Sequence, residues 1–121
     1  MTTPTDTVTA RRLTAATVLL TVGESGLVHP RAAAFLLRRA LEEQLDRYLR
    51  AHRPDLTACK FGTKAAWLAQ HLDAQLAGRL AAVWRNLSAA CHHHQFALPP
   101  STAELRSWQE DVVHVLRALR T

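Results

Sequence analysis

The chain has 121 residues, 48% of them hydrophobic, and a formal net charge of +5. That length suits one domain with a modest core, and the abundance of Ala and Leu over Gly and β-branched residues favours helices. No apolar run reaches the roughly 18–20 residues of a membrane span, so a membrane role is not expected.

Residues 1–7 are Thr-rich and lack the charged-then-apolar order of a secretion signal. They are expected to form a disordered tail on a cytoplasmic protein. A first helix is predicted from about Val8 to Val22, where Leu13, Ala16 and Leu20 share a face before Gly23 and Gly26. Pro30 suits the first position of a second helix, which should run to about Ala51. Its apolar stripe is Ala34, Leu37, Leu41, Leu45 and Tyr48, with Arg38, Arg39, Glu42, Glu43, Asp46 and Arg47 mostly off it. Pro54 stops that helix, and a loop over 53–62 follows. Thr63 is the expected cap of a third helix carrying Trp67, Leu68 and Leu72. Asp73 would cap a fourth, from Ala74 to about Gln95, although the spacing of Leu68, Leu72, Leu76, Leu80, Val83 and Leu87 also allows one continuous helix. Leu98-Pro99-Pro100 is a firm break. Ser101-Thr102-Ala103-Glu104 reads as a capping box opening a last helix, whose stripe is Leu105, Trp108, Val112, Val115, Leu116 and Leu119. Together these predict an all-α, four- to five-helix up-down bundle, a single domain over 8–121.

The two cysteines, Cys59 and Cys91, show no Cys-x-x-Cys spacing and are expected as free thiols packed like small hydrophobes. The positive charge is carried almost wholly by Arg. It fits an anionic partner such as RNA, since guanidinium grips phosphate in bidentate fashion. A GC-rich genome, whose codons favour Arg and Ala, would leave the same excess.

The fourth helix is where the pattern points to chemistry. On a helical wheel Leu76, Leu80, Val83, Leu87 and Cys91 gather on one side, with Trp84 flanking, which makes that side the core face. Arg85 and His92 are seven residues apart, so they lie within about 20° of each other on the opposite side. Their neighbours there are Gly78, Ala81, Ser88 and Ala89. A solvated face is usually rich in Glu, Lys and Gln; small residues instead let another helix come close. The visitor would be a second copy around a two-fold axis, or a neighbouring helix of the same chain.

Arg and His without a nucleophilic Ser or a carboxylate suit phosphodiester chemistry. Arg85 would neutralise the scissile phosphate. His92 would take the proton of a ribose 2′-hydroxyl, and a second His92 across a dimer would protonate the leaving oxygen. Asn86 is placed to hydrogen-bond a phosphate oxygen or to orient His92. Ser88 and His93 are accessory candidates. His92, His93 and His94 point about 100° apart and so cannot share one metal. His94 falls on the core face. His71 and His114 have no ligand spacing with them, and neither a metal nor a cofactor is expected.

The segment Arg85-Asn86-Leu87-Ser88-Ala89-Ala90-Cys91-His92 resembles the R-x(4–6)-H motif of the HEPN superfamily, including the polar residue after the Arg. The run Arg31 to Leu45 is similar to that family's A-x-x-L-x-x-x-A-x-E-x-x-L helix, and Trp84 to Leu105 resembles an actinobacterial branch. The resemblance implies a helical-bundle homodimer with a composite site and metal-independent endoribonuclease activity on RNA. It implies Arg85, Asn86 and His92 as site residues. It further implies a toxin or antiviral effector paired with an antitoxin or another effector-system protein. The competing expectation is a non-catalytic helical dimer that binds RNA, a nucleotide or a protein partner.

Overall fold

Four short chemical signals, Pro30, Pro54, Asp73 and the Ser101–Glu104 pair, set helix boundaries along the chain. The computed structural model describes residues 11–14, 30–92 and 98–119. Within these, residues 11–14 form α1, Pro30–His52 α2, Phe61–His71 α3, Ala74–Cys91 α4 and Thr102–Ala118 α5, with a 3₁₀ turn at Pro54–Leu56. The described residues contain helices and no strand. The rest of the predicted first helix, the 1–7 tail and His94 lie outside them.

Pro30 opens α2, and Pro54 forces the 3₁₀ turn that closes it. Asp73 decides between one helix and two. Leu72 and Asp73 both have extended backbone, and the Asp73 carboxylate accepts from the Leu76 N–H at 2.9 Å. At α5 both halves of the capping box form: Ser101 Oγ accepts from the Glu104 N–H, and Glu104 accepts from the Ser101 N–H, each at 3.1 Å. The start of α3 differs from expectation. The helix begins at Phe61, so Thr63 lies inside it, and Lys60 holds the cap position without a side-chain bond. The Phe61 ring stacks on Trp84 with centroids 3.9 Å apart, and this contact anchors the first turn in place of a polar cap.

The predicted stripes meet in one core. Leu37, Leu41, Leu45 and Leu49 of α2 pack with Leu80, Val83 and Leu87 of α4 and with Leu105, Val112, Val115, Leu116 and Leu119 of α5. Leu68 is the one buried side chain of α3. Each fully buried Leu contributes about 1.5–3 kcal/mol, so these three helices hold the bundle together. Tyr48 and Trp108 are half-buried at its edge. Gln44 is a buried polar residue that the stripe did not include. Its amide donates to the Leu119 carbonyl at 3.1 Å and its oxygen accepts from Arg47. The bond to Leu119 satisfies the carbonyl of the α5 C-cap.

Cross-chain contacts fix the directions. Arg31, at the start of α2, meets Ala90 at the end of α4, so these helices are antiparallel. Arg79 of α4 pairs with Asp111 of α5 at 2.6 Å, and α5 returns antiparallel to α4. Phe61 packs on Trp84, Lys64 reaches Asp46 at 3.0 Å, and Trp67 lies beside Tyr48. Thus α3 climbs in the same sense as α2, and the four long helices run up, up, down, up. Strict alternation is avoided because segment 53–60 first carries the chain back along α2.

Candidate functional site

α4 has three distinct sides. Leu76, Leu80, Val83, Leu87 and Ala90 are buried. Trp84 and Cys91 are half-buried on one flank, so Ala90 takes the core place expected of Cys91. The flank is covered by Phe61 of α3 and by Arg38 of α2, whose guanidinium lies 5.8 Å from the Trp84 ring centre. Burial pushes the Cys91 thiol up from its ordinary pKa, with the Arg38 charge partly opposing. On the third side Gly78, Arg85, Asn86, Ala89 and His92 are exposed, with Ala81 and Ala82 half-buried. A Cβ built on Gly78 meets nothing within 4 Å, so among the described residues nothing packs on this face at Gly78.

Arg85 projects into solvent and has no hydrogen-bond or ion-pair partner among the described residues. The two glutamates of α2 pair with other arginines. Glu42 binds Arg38 at 2.6 Å and Arg39 at 3.0 Å, and Glu43 pairs with Arg12. Glu42 also holds the Arg38 guanidinium more firmly charged than usual.

The helix was expected to reach Gln95, but it ends at Cys91 with His92 as its C-cap. The His92 N–H donates to the Ala89 carbonyl at 3.3 Å, and ψ of 130° turns the following chain out of the helix. Its φ of −78° stays close to the helical value. Because φ sets the direction of Cβ while ψ redirects only the chain beyond it, the His92 side chain leaves on the Arg85 side. Arg85 and His92 are therefore about 20° apart around the axis and about 10 Å apart along it.

The other candidates are not gathered with them. Asn86 is exposed but turned about 100° from Arg85, toward α5, away from His92. Ser88 is half-buried, and its hydroxyl oxygen is shut off from solvent with no hydrogen-bond partner among the described residues. His93 lies outside the described residues. Among the described residues no three His, Cys, Asp or Glu side chains gather where a metal could sit, and no helix is long and apolar enough to cross a membrane.

Arg31 is the residue the motif did not reveal. Its Nη1 donates to the Ala90 carbonyl at 3.2 Å and to the His92 carbonyl at 3.1 Å. These are end-of-helix carbonyls, which a cation stabilises both by hydrogen bonding and through the helix dipole. The partners are 59 and 61 residues apart, so no local pattern could have announced them.

Two grooves among the described residues do not contain Arg85, Asn86 or His92. One, of about 370 Å³, lies between α4 and α5 and includes Arg79, His114 and Arg117. The other, of about 160 Å³, lies beside Phe61, Lys64 and Trp84. Among the described residues the Arg85–His92 face is the outer surface of one helix, so a cleft there requires a second surface. Comparison with family models, with curated proteins and with solved structures returns no match.

Proposed function

We propose that the protein is a metal-independent endoribonuclease of the HEPN type, acting as a two-fold dimer whose seam runs along α4. The observation that carries this reading is the open α4 face, on which an exposed Arg85 without a partner among the described residues and an exposed His92 share one side. The resemblance of Arg85 to His92 to the R-x(4–6)-H motif and the net charge of +5 support it.

This reading needs two copies, because one α4 face supplies a single His92. A two-fold axis crossing α4 between Ser88 and Ala89 sets Arg85 of one copy opposite His92 of the partner subunit, because the two positions are equidistant from that point. The exposed Ala89 is small enough for close crossing. Arg85 then binds the scissile phosphate and the charge that grows on it. One His92 removes the 2′-hydroxyl proton as that oxygen attacks phosphorus. The P–O5′ bond breaks, the leaving oxygen takes a proton from the other His92, and a 2′,3′-cyclic phosphate remains. Asn86, on the α5 side, suits a neighbouring phosphate rather than the orientation of His92. Biological use as a toxin or antiviral effector held by a partner protein belongs to this same reading.

The test is cleavage of cellular RNA by purified protein in EDTA, comparing wild type with Arg85→Ala and His92→Ala. Cleavage by wild type alone supports the proposal. Equal cleavage by all three, or none by a folded wild-type dimer, removes it in favour of a non-catalytic dimer.

A further inference from the structure

We infer that Arg31 is a positioning residue for His92: from the start of α2 it closes the end of α4 and, by holding the His92 carbonyl itself, restrains the residue that carries the imidazole. In a continued α-helix the Ala90 carbonyl would accept from the amide of residue 94, and the His92 carbonyl from that of residue 96. Arg31 Nη1 donates to both of these oxygens, at 3.2 and 3.1 Å. One guanidinium nitrogen thereby competes with the amides that would carry the helix on. The carbonyls at a helix C-terminus also bear the negative end of the macrodipole, which adds to the attraction of a cation there.

Local sequence favours continuation, not termination. No glycine follows Cys91, and the residues up to Gln95 carry no helix breaker before Leu98-Pro99-Pro100. The stop at Cys91 therefore points to a tertiary cause, and among the described residues Arg31 donates to the carbonyls there. The consequence for the site is direct. His92 keeps a near-helical φ but leaves the helix through ψ, and both carbonyls flanking its peptide turn lie on Arg31. The antiparallel packing of α2 on α4 is what delivers the guanidinium to that point.

The inference rests on the ribonuclease reading for its kinetic consequence and on geometry alone for its structural one, so the test has two arms. Wild type, Arg31→Met, Arg31→Lys and His92→Ala are compared by RNA cleavage in EDTA and, for the Arg31 variants, by the Cα chemical shift of His92. Melting curves confirm that each variant is folded. In Arg31→Met the His92 shift is expected to move from the extended toward the helical range. Its kcat should fall about 10- to 100-fold with KM unchanged, because a His92 no longer held by its carbonyl lets the reacting nitrogen shift by about 1 Å. Arg31→Lys, which retains a cation but not the fork, should recover part of both. An unmoved His92 shift in folded Arg31→Met overturns the inference whether or not the protein cuts RNA. A full kcat in Arg31→Met beside an inactive His92→Ala overturns the positioning role while leaving the ribonuclease reading intact. If wild type does not cut, the ribonuclease reading fails and the shift alone decides whether Arg31 ends the helix.

Discussion

Ala89→Arg separates the stability of one chain from the assembly of two. Ala89 is exposed on the open side of α4, two residues before the helix ends. Arg has a helix propensity close to that of Ala, and a cation in the last turn interacts favourably with the dipole. The stability of the single chain should therefore change by no more than about 0.5 kcal/mol. At the proposed crossing the effect is much larger. Helices that cross at small residues lie about 8–10 Å apart, which leaves no room for an Arg stem. Overpacking costs about 1–3 kcal/mol per site, and a two-fold seam contains the site twice. The dimer thus loses about 2–6 kcal/mol, which is about 30-fold to more than 10⁴-fold in Kd. Sedimentation equilibrium across a concentration series reads that loss, thermal melting of dilute protein reads the chain, and RNA cleavage should fall with the dimer. An unchanged dimer would place the seam elsewhere. A collapse of Tm in dilute protein would mean that Ala89 is packed within its own chain.

Further substitutions probe the frame around the site. Gly78→Ala adds a Cβ where nothing lies within 4 Å, so it should stabilise the helix by about 0.5–1 kcal/mol and raise Tm by about 2–5 °C, as calorimetry would show. Ser101→Ala removes one half of the α5 capping box and should cost about 1 kcal/mol in urea unfolding; no loss would show that Glu104 alone suffices. Burial raises the Cys91 thiol, so its alkylation at pH 8 should be slower than that of a free thiol. The unfolded thiol ionises first, so the contribution of this group to stability is intact below about pH 8.5 and declines as pH rises through the higher folded value.

Where the boundary chemistry was local, it could be read directly. Pro30, Pro54, Asp73 and the Ser101–Glu104 pair each act within four residues, and each sets the boundary it announces. The stripes of α2, α4 and α5 were legible for the same reason, since helical periodicity is a local property. The start of α3 was not, because Phe61 is held by Trp84, 23 positions away in the chain, rather than by a neighbour. Nor was the end of α4, which depends on Arg31. Gln44 looked like a solvated polar residue because its partner is the last turn of α5. The same division holds at the site. The shared side of Arg85 and His92 follows from spacing alone, whereas the closure of the Ser88 hydroxyl and the capping by Arg31 arise only from packing.

The chemistry of the RNA ends tests the central claim most directly. Wild-type protein in EDTA should leave 2′,3′-cyclic phosphate ends, a substrate with 2′-deoxyribose at the cleaved position should resist, and His92→Ala should leave RNA intact. Cleavage that yields 3′-hydroxyl ends, or that persists in folded His92→Ala, would contradict the assignment of Arg85 and His92 to internal transesterification.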